Sequence, residues 1–213
     1  YRRAEAPPLA QSELPALQTA EARHALGAAY LAKGFNGEAE AEFARAVALD
    51  ATHAPSRLAL ARMLTERGLV LRAVRLIEDV LKQRPDTAEA HLLLAKAYQQ
   101  QGLLDEALRA YTTAVRLAPA DPDIRLQLAG VHRRSGELLR AAAEYAQVLA
   151  LRPLDLDAMF GLAEIHIAEK QPGAARARLA PVLRDLDAHP LVTRARAWHL
   201  QGLAQLQAGH AGE

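Results

Sequence analysis

The sequence repeats itself five times in succession at a fixed spacing of 34 residues. Each copy carries a leucine followed by a small residue, at 26–27, 60–61, 94–95, 128–129 and 162–163. A bulky series keeps the same step, and its members are Phe43, Ile77, Tyr111, Tyr145 and Leu179. A period of this length is typical of a solenoid, in which each repeat buries its apolar face only against its neighbours. We therefore look for function on extended surfaces rather than in a buried cleft.

The composition favours helices and excludes several classes of function. Apolar residues make up 51% of the chain and aromatic residues only 4%, so the core must consist largely of alanine and leucine. Both have high helix propensity. The formal net charge of +1 provides no basic field for nucleic acid. The absence of cysteine excludes disulfides, thiolate zinc sites and thiol catalysis within these residues. No apolar run reaches the length of about 18 residues that a membrane-spanning helix needs, so we expect no direct membrane insertion.

Each repeat is predicted to fold as two helices. The first helix should end at a glycine that adopts a left-handed conformation, and the candidates are Gly34, Gly68, Gly102 and Gly136. The second should stop before a proline, at Pro85, Pro119 and Pro153. After each proline, a side-chain oxygen of Thr87, Asp121 or Asp155 is predicted to cap the next helix.

These positions together resemble the tetratricopeptide repeat (TPR) family. Numbered in that register, all five repeats have leucine and a small residue at positions seven and eight, the first four have glycine at fifteen, and the second to fourth have proline at thirty-two. The resemblance implies an all-α fold, a right-handed superhelical solenoid of antiparallel helix pairs. We expect residues 1–14 to form a linker or extended N-terminal segment and residues 15–213 to form the solenoid. Full repeats should start at residues 20, 54, 88, 122 and 156, and the first helix of a sixth from about 190.

The fifth repeat departs from the pattern. Lys170 occupies the glycine position, Pro172 opens the second helix, and Pro181 falls inside it. We expect Pro181 to kink or end that helix, because its ring removes a hydrogen-bond donor and clashes with the preceding turn. Five extra residues, 186–190, then precede the sixth unit. They are either a tolerated loop insertion or a joint at which the curvature of the solenoid changes.

The sequence contains no recognisable catalytic or metal motif. The histidines lack the spacing that places two metal ligands on one helix face, and no nucleophile with a nearby base or phosphate-binding loop is evident. His132 and His166 stand where Tyr30 and Tyr98 stand in other repeats, so we interpret them as packing substitutes for tyrosine. We accordingly predict no enzyme, no cofactor and no metal site within these residues.

The resemblance implies that the first helices line a concave groove through positions two, five, nine, twelve and thirteen. The candidate partner-binding residues at these positions are Leu58, Arg62, Leu92, Lys96, Gln99, Leu126, Arg133, Arg134, Phe160 and Glu164. An apolar floor with a cationic middle suits a protein or peptide partner with apolar and some acidic residues. The alternative is that the apolar residues pack against neighbouring first helices and are largely covered. The residues that form a carboxylate clamp or an asparagine ladder in some TPR proteins are absent.

The predicted function is a non-catalytic protein–protein interaction scaffold that holds a partner polypeptide in the groove. The resemblance favours a bacterial multiprotein assembly, periplasmic or associated with the envelope rather than cytoplasmic. The alternative is a substrate-positioning region of a larger enzyme whose catalytic domain lies outside residues 1–213. A third hypothesis is self-association through the C-terminal end, where a first helix without its partner should expose Leu200, Leu203 and Leu206. We expect the natural protein to continue past Glu213 with an alanine-rich helix, or another chain to cover this end.

Overall fold

The structure, a computed structural model, describes residues 18–210. Within that range the chain forms eleven α-helices and no strand. The first helices of successive pairs are α1 (Ala20–Ala32), α3 (Ala54–Glu66), α5 (Ala88–Gln100), α7 (Pro122–Arg134) and α9 (Leu156–Ala168). The second helices are α2 (Asn36–Leu49), α4 (Val70–Gln83), α6 (Leu104–Leu117), α8 (Leu138–Leu151) and α10 (Pro172–Arg184). A short 3₁₀ helix, Leu186–Ala188, precedes α11 (Leu191–His210).

Each first helix ends in the same backbone turn, in which one residue adopts a left-handed conformation. The four predicted glycines have φ between 74° and 81°, and Lys170 takes the same role at φ 57°. In the first turn the amide of Gly34 donates to the carbonyl of Leu31, and the amide of Phe35 donates to that of Tyr30. This bond pattern is a Schellman motif. It recurs at Lys170 and Gln171, so the fifth turn keeps its geometry without glycine.

The starts of the first helices are capped by different side chains. Asp121 accepts hydrogen bonds from the amides of Asp123 and Ile124, and Asp155 accepts one from Ala158, as predicted. The prediction for Thr87 is wrong, because its hydroxyl instead donates to the carbonyl of Arg84. A threonine at this position therefore caps the helix only when its hydroxyl points toward the helix amides and not toward the carbonyls of the preceding turn.

The described residues form two compact units, 18–110 and 111–210, and the boundary between them along the chain falls within α6. In the first unit, one apolar cluster joins side chains of α2, α3, α4 and α5. Phe43 and Ile77, the bulky residues of the first two repeats, are fully buried in it. A Cβ atom added at Gly27 would lie 2.8 Å from the ring of Phe43, so the small residue is required by a close helix approach.

The second unit has two apolar clusters, which lie on opposite sides of α9. One joins α7, α8 and α9 around Tyr145, and the other joins α9, α10 and α11 around Leu179. Because α9 is covered on both sides, it is apolar around most of its circumference. Gly161 in α9 faces the Tyr145 ring, and a Cβ there would lie 2.4 Å from Cζ.

The last part of the described chain differs from the expected pattern at two points, Pro181 and Leu200. Pro181 does not end its helix, since α10 continues to Arg184. The extra residues contain the 3₁₀ helix, and α11 begins directly after them at Leu191. Of the three leucines expected to be exposed, Leu200 is buried against α9 and α10, while Leu206 is 64% exposed. The predicted linker at 1–14 and the chain end at Glu213 lie outside the described residues.

Candidate functional site

The ten candidate groove residues all lie on first helices, five in each unit. In the first unit α3 carries Leu58 and Arg62, and α5 carries Leu92, Lys96 and Gln99. In the second unit the residues on α7 and α9 are Leu126, Arg133, Arg134, Phe160 and Glu164. Their side chains fall into three groups, which are buried, engaged in ion pairs, or accessible.

Leu58 and Phe160 are interior residues and do not form a groove floor. Leu58 is 4% exposed and belongs to the apolar cluster of the first unit. Phe160 is 2% exposed, packs between α9, α10 and α11, and has the guanidinium of Arg196 4.7 Å from its ring centroid. The expectation for these two residues is therefore corrected, since adjacent helices cover both. Leu92 and Leu126 are only half-buried, so part of the apolar row is accessible.

In the first unit, one of the two predicted cations is already paired. Arg62 in α3 forms an ion pair with Glu89 in α5, and both side chains are half exposed. Lys96 is exposed, and within residues 18–110 no carboxylate lies in ion-pair distance of its ammonium group. Gln99 is half-buried one turn further along α5.

In the second unit, a carboxylate is shared between two arginines. Glu164 in α9 has Arg133 Nη1 2.9 Å from Oε2, and it accepts a 2.9 Å hydrogen bond from Arg196 Nη2 at Oε1. Arg196 also donates to Asp157 at 3.3 Å. Two of the four cations expected in the middle of the groove, Arg62 and Arg133, are thus paired with acidic side chains on neighbouring first helices. Arg134 is exposed, and no ion pair to it is found within residues 111–210.

The sequence analysis missed the acidic residues at the second repeat position, which pair with arginines of neighbouring helices. Glu89, Asp123 and Asp157 occupy the second position of three successive repeats, at the same 34-residue step as the leucines. Asp123 pairs with Arg152, and this hydrogen bond raises the pKa of the Arg152 guanidinium. Their regular spacing of 34 residues was the sequence feature that could have identified them.

The described residues contain no group of three side chains that could hold a metal ion. None of the helices from α1 to α11 is both long enough and apolar enough to cross a membrane. Nδ1 of His132 donates to a carboxylate oxygen of Glu137, and Nδ1 of His166 donates to the amide oxygen of Gln171, each at 3.1 Å. Both contacts lie within the turn that ends a first helix. An open pocket of about 630 Å³ lies beside residues 152–157, and one of about 530 Å³ lies between α10 and α11. Neither is lined by a candidate groove residue.

Two protein-family models match the sequence, over residues 58–122 and over residues 132–198, and both describe a tetratricopeptide repeat. The chain belongs to the tetratricopeptide repeat family. No curated protein is similar enough in sequence to match this TPR chain.

Solved TPR structures share the fold. TTC0263 of Thermus thermophilus, a thermophilic TPR protein, is 25% identical, with 85% of this chain and 98% of that chain covered and a TM-score of 0.64. YrrB, described as a TPR protein with an unusual peptide-binding site, is 17% identical, with 95% and 96% covered and a TM-score of 0.65. PilW, described as a widely conserved type IV pilus biogenesis factor, is 16% identical, with 84% and 83% covered and a TM-score of 0.76. The predicted all-α solenoid of TPR helix pairs is confirmed.

Proposed function

We propose that this TPR protein is a non-catalytic scaffold that binds a partner polypeptide on the accessible side of its first helices, within a bacterial multiprotein assembly. The family supports a protein-interaction role in general, because stacked helix pairs present long surfaces to extended or helical segments. The description of YrrB names a peptide-binding site in a protein of this fold.

The observation that carries the proposal is a row of three residues along α7. Leu126, Gly130 and Arg134 are spaced four apart, so they follow one another on one face of the helix. A Cβ added at Gly130 would meet no atom within 4 Å, so the glycine leaves an open notch between an apolar and a cationic side chain. An apolar side chain of the partner fits the notch beside Leu126, while an acidic side chain pairs with Arg134.

The first unit supports the same kind of recognition. Leu92 and Lys96 are one helical turn apart on α5, and they again place a half-buried leucine beside an exposed cation. The proposed binding residues are therefore Leu92, Lys96, Gln99, Leu126 and Arg134. The partner has apolar anchors and some acidic residues, but fewer acidic residues than a groove of unpaired cations would require, because Arg62 and Arg133 are already paired.

The test uses a peptide selected on the protein from a library of random sequences and then labelled for fluorescence anisotropy. We expect Leu126→Asp and Gly130→Leu each to weaken binding about tenfold or more, which corresponds to about 1.4 kcal/mol. Arg134→Glu should weaken binding of an acidic peptide and remove part of its salt dependence. The matched control is Leu139→Asp, because Leu139 lies on α8 and is 80% exposed. Wild-type affinity in Leu126→Asp and Gly130→Leu, with unchanged helical circular dichroism, would contradict the proposal.

Self-association through α11 is a second proposal, and it rests on that helix's exposed face. Trp198 is 48% exposed and Leu206 is 64% exposed, and the face between them contains Gly202 and no charged residue. Two copies of such a face meet without like-charge repulsion. Sedimentation at increasing concentration should reveal a dimer in the wild type that Leu206→Asp abolishes. A wild type that stays monomeric throughout would rule this out.

A further inference from the structure

A buried serine in the first unit lies between two histidines. Ser56, in the first turn of α3, is fully buried. Its Oγ atom lies 2.8 Å from Nδ1 of His53, which precedes α3, and 3.2 Å from Nδ1 of His24 in α1. The two imidazole rings meet edge to face, with centroids 5.6 Å apart. These three side chains link the first helices of two consecutive repeats.

The hydrogen atoms of this cluster can be assigned by counting donors and acceptors. The backbone amide of Ser56 donates to Nδ1 of His53 at 3.4 Å, so His53 caps α3 and its Nδ1 carries no proton. The Ser56 hydroxyl has one hydrogen, which is then donated to the same Nδ1 atom. Its oxygen is left to accept from Nδ1–H of His24. This arrangement gives the Ser56 hydroxyl and the Nδ1 atoms of both histidines a hydrogen-bond partner only while His53 is neutral.

Protonation of either imidazole works against this arrangement. A proton on His53 Nδ1 removes the acceptor of the Ser56 amide and places a positive charge at the N-terminus of α3, where the helix dipole disfavours it. Burial lowers the pKa of His24, and the adjacent His53 lowers it further. If both rings are charged, the buried Ser56 hydroxyl accepts from both, and its hydrogen then has no partner within the cluster.

The charged groups around the cluster come from α1, α2, α3, α5 and the turn before α3. Glu89 of α5 raises the pKa of His24 but is already paired with Arg62. Asp50, in the turn before α3, interacts with both His53 and Arg57.

On the α2 side, the ring of Phe43 lies 5.3 Å from that of His24. The adjacent carboxylate, Glu42, is occupied by Arg23 and Arg45. No carboxylate is therefore hydrogen-bonded to either imidazole within residues 18–110.

We propose that His24, Ser56 and His53 form an acid-sensitive latch that holds α1 against α3 near neutral pH and releases it in mildly acidic surroundings. Because the pKa of His24 is lowered from its ordinary value of 6.5, the stabilisation is complete above about pH 6.5 and is lost as the pH falls below it. Release changes the packing of α1 against α3. It therefore changes the surface that the first two repeats expose to a partner. The latch does not depend on which partner the scaffold binds.

Hydrogen exchange of the whole chain at pH 7.5 and pH 5.5, corrected for intrinsic exchange rates, tests the latch. A group whose pKa is lowered in the closed state favours the open state as the pH falls below the group's ordinary value, by at most about tenfold for each pH unit. We therefore expect protection of α1 and of the first turn of α3 to fall in the wild type at pH 5.5, by up to about tenfold. Equal corrected protection at both pH values overturns the proposal.

Two variants and one control separate the latch from general acid sensitivity. His53→Asn keeps a side-chain oxygen that can cap the helix but cannot take up a proton in this range, and His24→Gln removes the second titrating group. Each should reduce the loss of protection in acid, and the double variant should abolish it in α1 and α3. His199→Gln serves as the control, because His199 is exposed on α11, and it should behave as the wild type. A double variant that loses protection as the wild type does also overturns the proposal.

Discussion

Arg196 in α11 donates a 2.9 Å hydrogen bond to Glu164 in α9, and its guanidinium lies 4.7 Å from the ring centroid of Phe160. One arginine thus covers an aromatic residue predicted to be accessible and neutralises a carboxylate predicted to line the groove. Since Arg133 occupies the other oxygen of Glu164, α7, α9 and α11 are joined by a single charge network.

A double-mutant cycle of Glu164→Gln and Arg196→Gln should measure this coupling. Glu164 is 25% exposed and Arg196 38% exposed, so we expect about 0.5–1 kcal/mol in urea unfolding at low salt. The coupling should shrink as ionic strength rises. The comparison pair is Glu137 and Arg140, three residues apart on the surface, which should give about 0.3 kcal/mol. A coupling between Glu164 and Arg196 that is no larger than that of the comparison pair would contradict the network.

Gly161→Ala should destabilise the second unit by about 1–3 kcal/mol, because the new methyl group collides with the ring of Tyr145. Gly130→Ala provides the matched control, since it is also a glycine within a first helix but has open space around it. There the change should stabilise by about 0.5–1 kcal/mol through helix propensity. Denaturant melts of both variants decide the matter, and equal effects of the two substitutions would be inconsistent with the close contact.

Lys170→Gly should stabilise the protein by about 1 kcal/mol, because a left-handed conformation costs a residue with a side chain about 1–2 kcal/mol and costs glycine little. Gly136→Ala, at the equivalent turn after α7, should lose about 1 kcal/mol for the same reason. Thermal unfolding of the two variants beside the wild type is sufficient. A destabilising Lys170→Gly would show that the lysine side chain contributes more than the turn geometry costs.

Tyr111 should make the protein sensitive to alkali. Burial raises the pKa of its hydroxyl above the ordinary value of 10, and the weaker influence of Arg134 opposes this. The stabilisation is therefore fully present below about pH 10 and lost as the pH rises above it, by about 1.4 kcal/mol at pH 11. Urea unfolding at pH 9 and pH 11 should show this loss in the wild type and a smaller one in Tyr111→Phe. An identical loss in both would assign the alkaline sensitivity to other groups.

Much of the fold could be predicted from the sequence because its strongest signals are local. The glycine turns and the Asp121 and Asp155 caps depend on residues within a few positions of one another. Pro181 shows the limit of such reasoning, because α10 continues past it in spite of the lost amide. The propensity of one residue was outweighed by the packing of Leu179 and Val182 against α9 and α11.

The candidate site could be predicted less well, because exposure at one repeat position depends on which residues the neighbouring helices supply. Leu92 and Phe160 occupy the same position of their repeats, yet one is half-buried and the other is interior. The difference at Phe160 comes from Arg196 and Leu200, which lie more than one repeat later in the chain. The position alone could not predict the burial of these side chains.

The turn that ends every first helix from α1 to α9 requires little beyond backbone amides, carbonyls and one left-handed residue. A gene duplication or deletion that joins two repeats at this point therefore restores the same turn, whichever copies are brought together. The number of repeats can change in this way without any new turn having to evolve. Their order is more constrained, because partners such as Arg133 and Glu164 lie in different repeats and would be separated by rearrangement. In such a lineage, the number of repeats varies more easily than the order in which they follow one another.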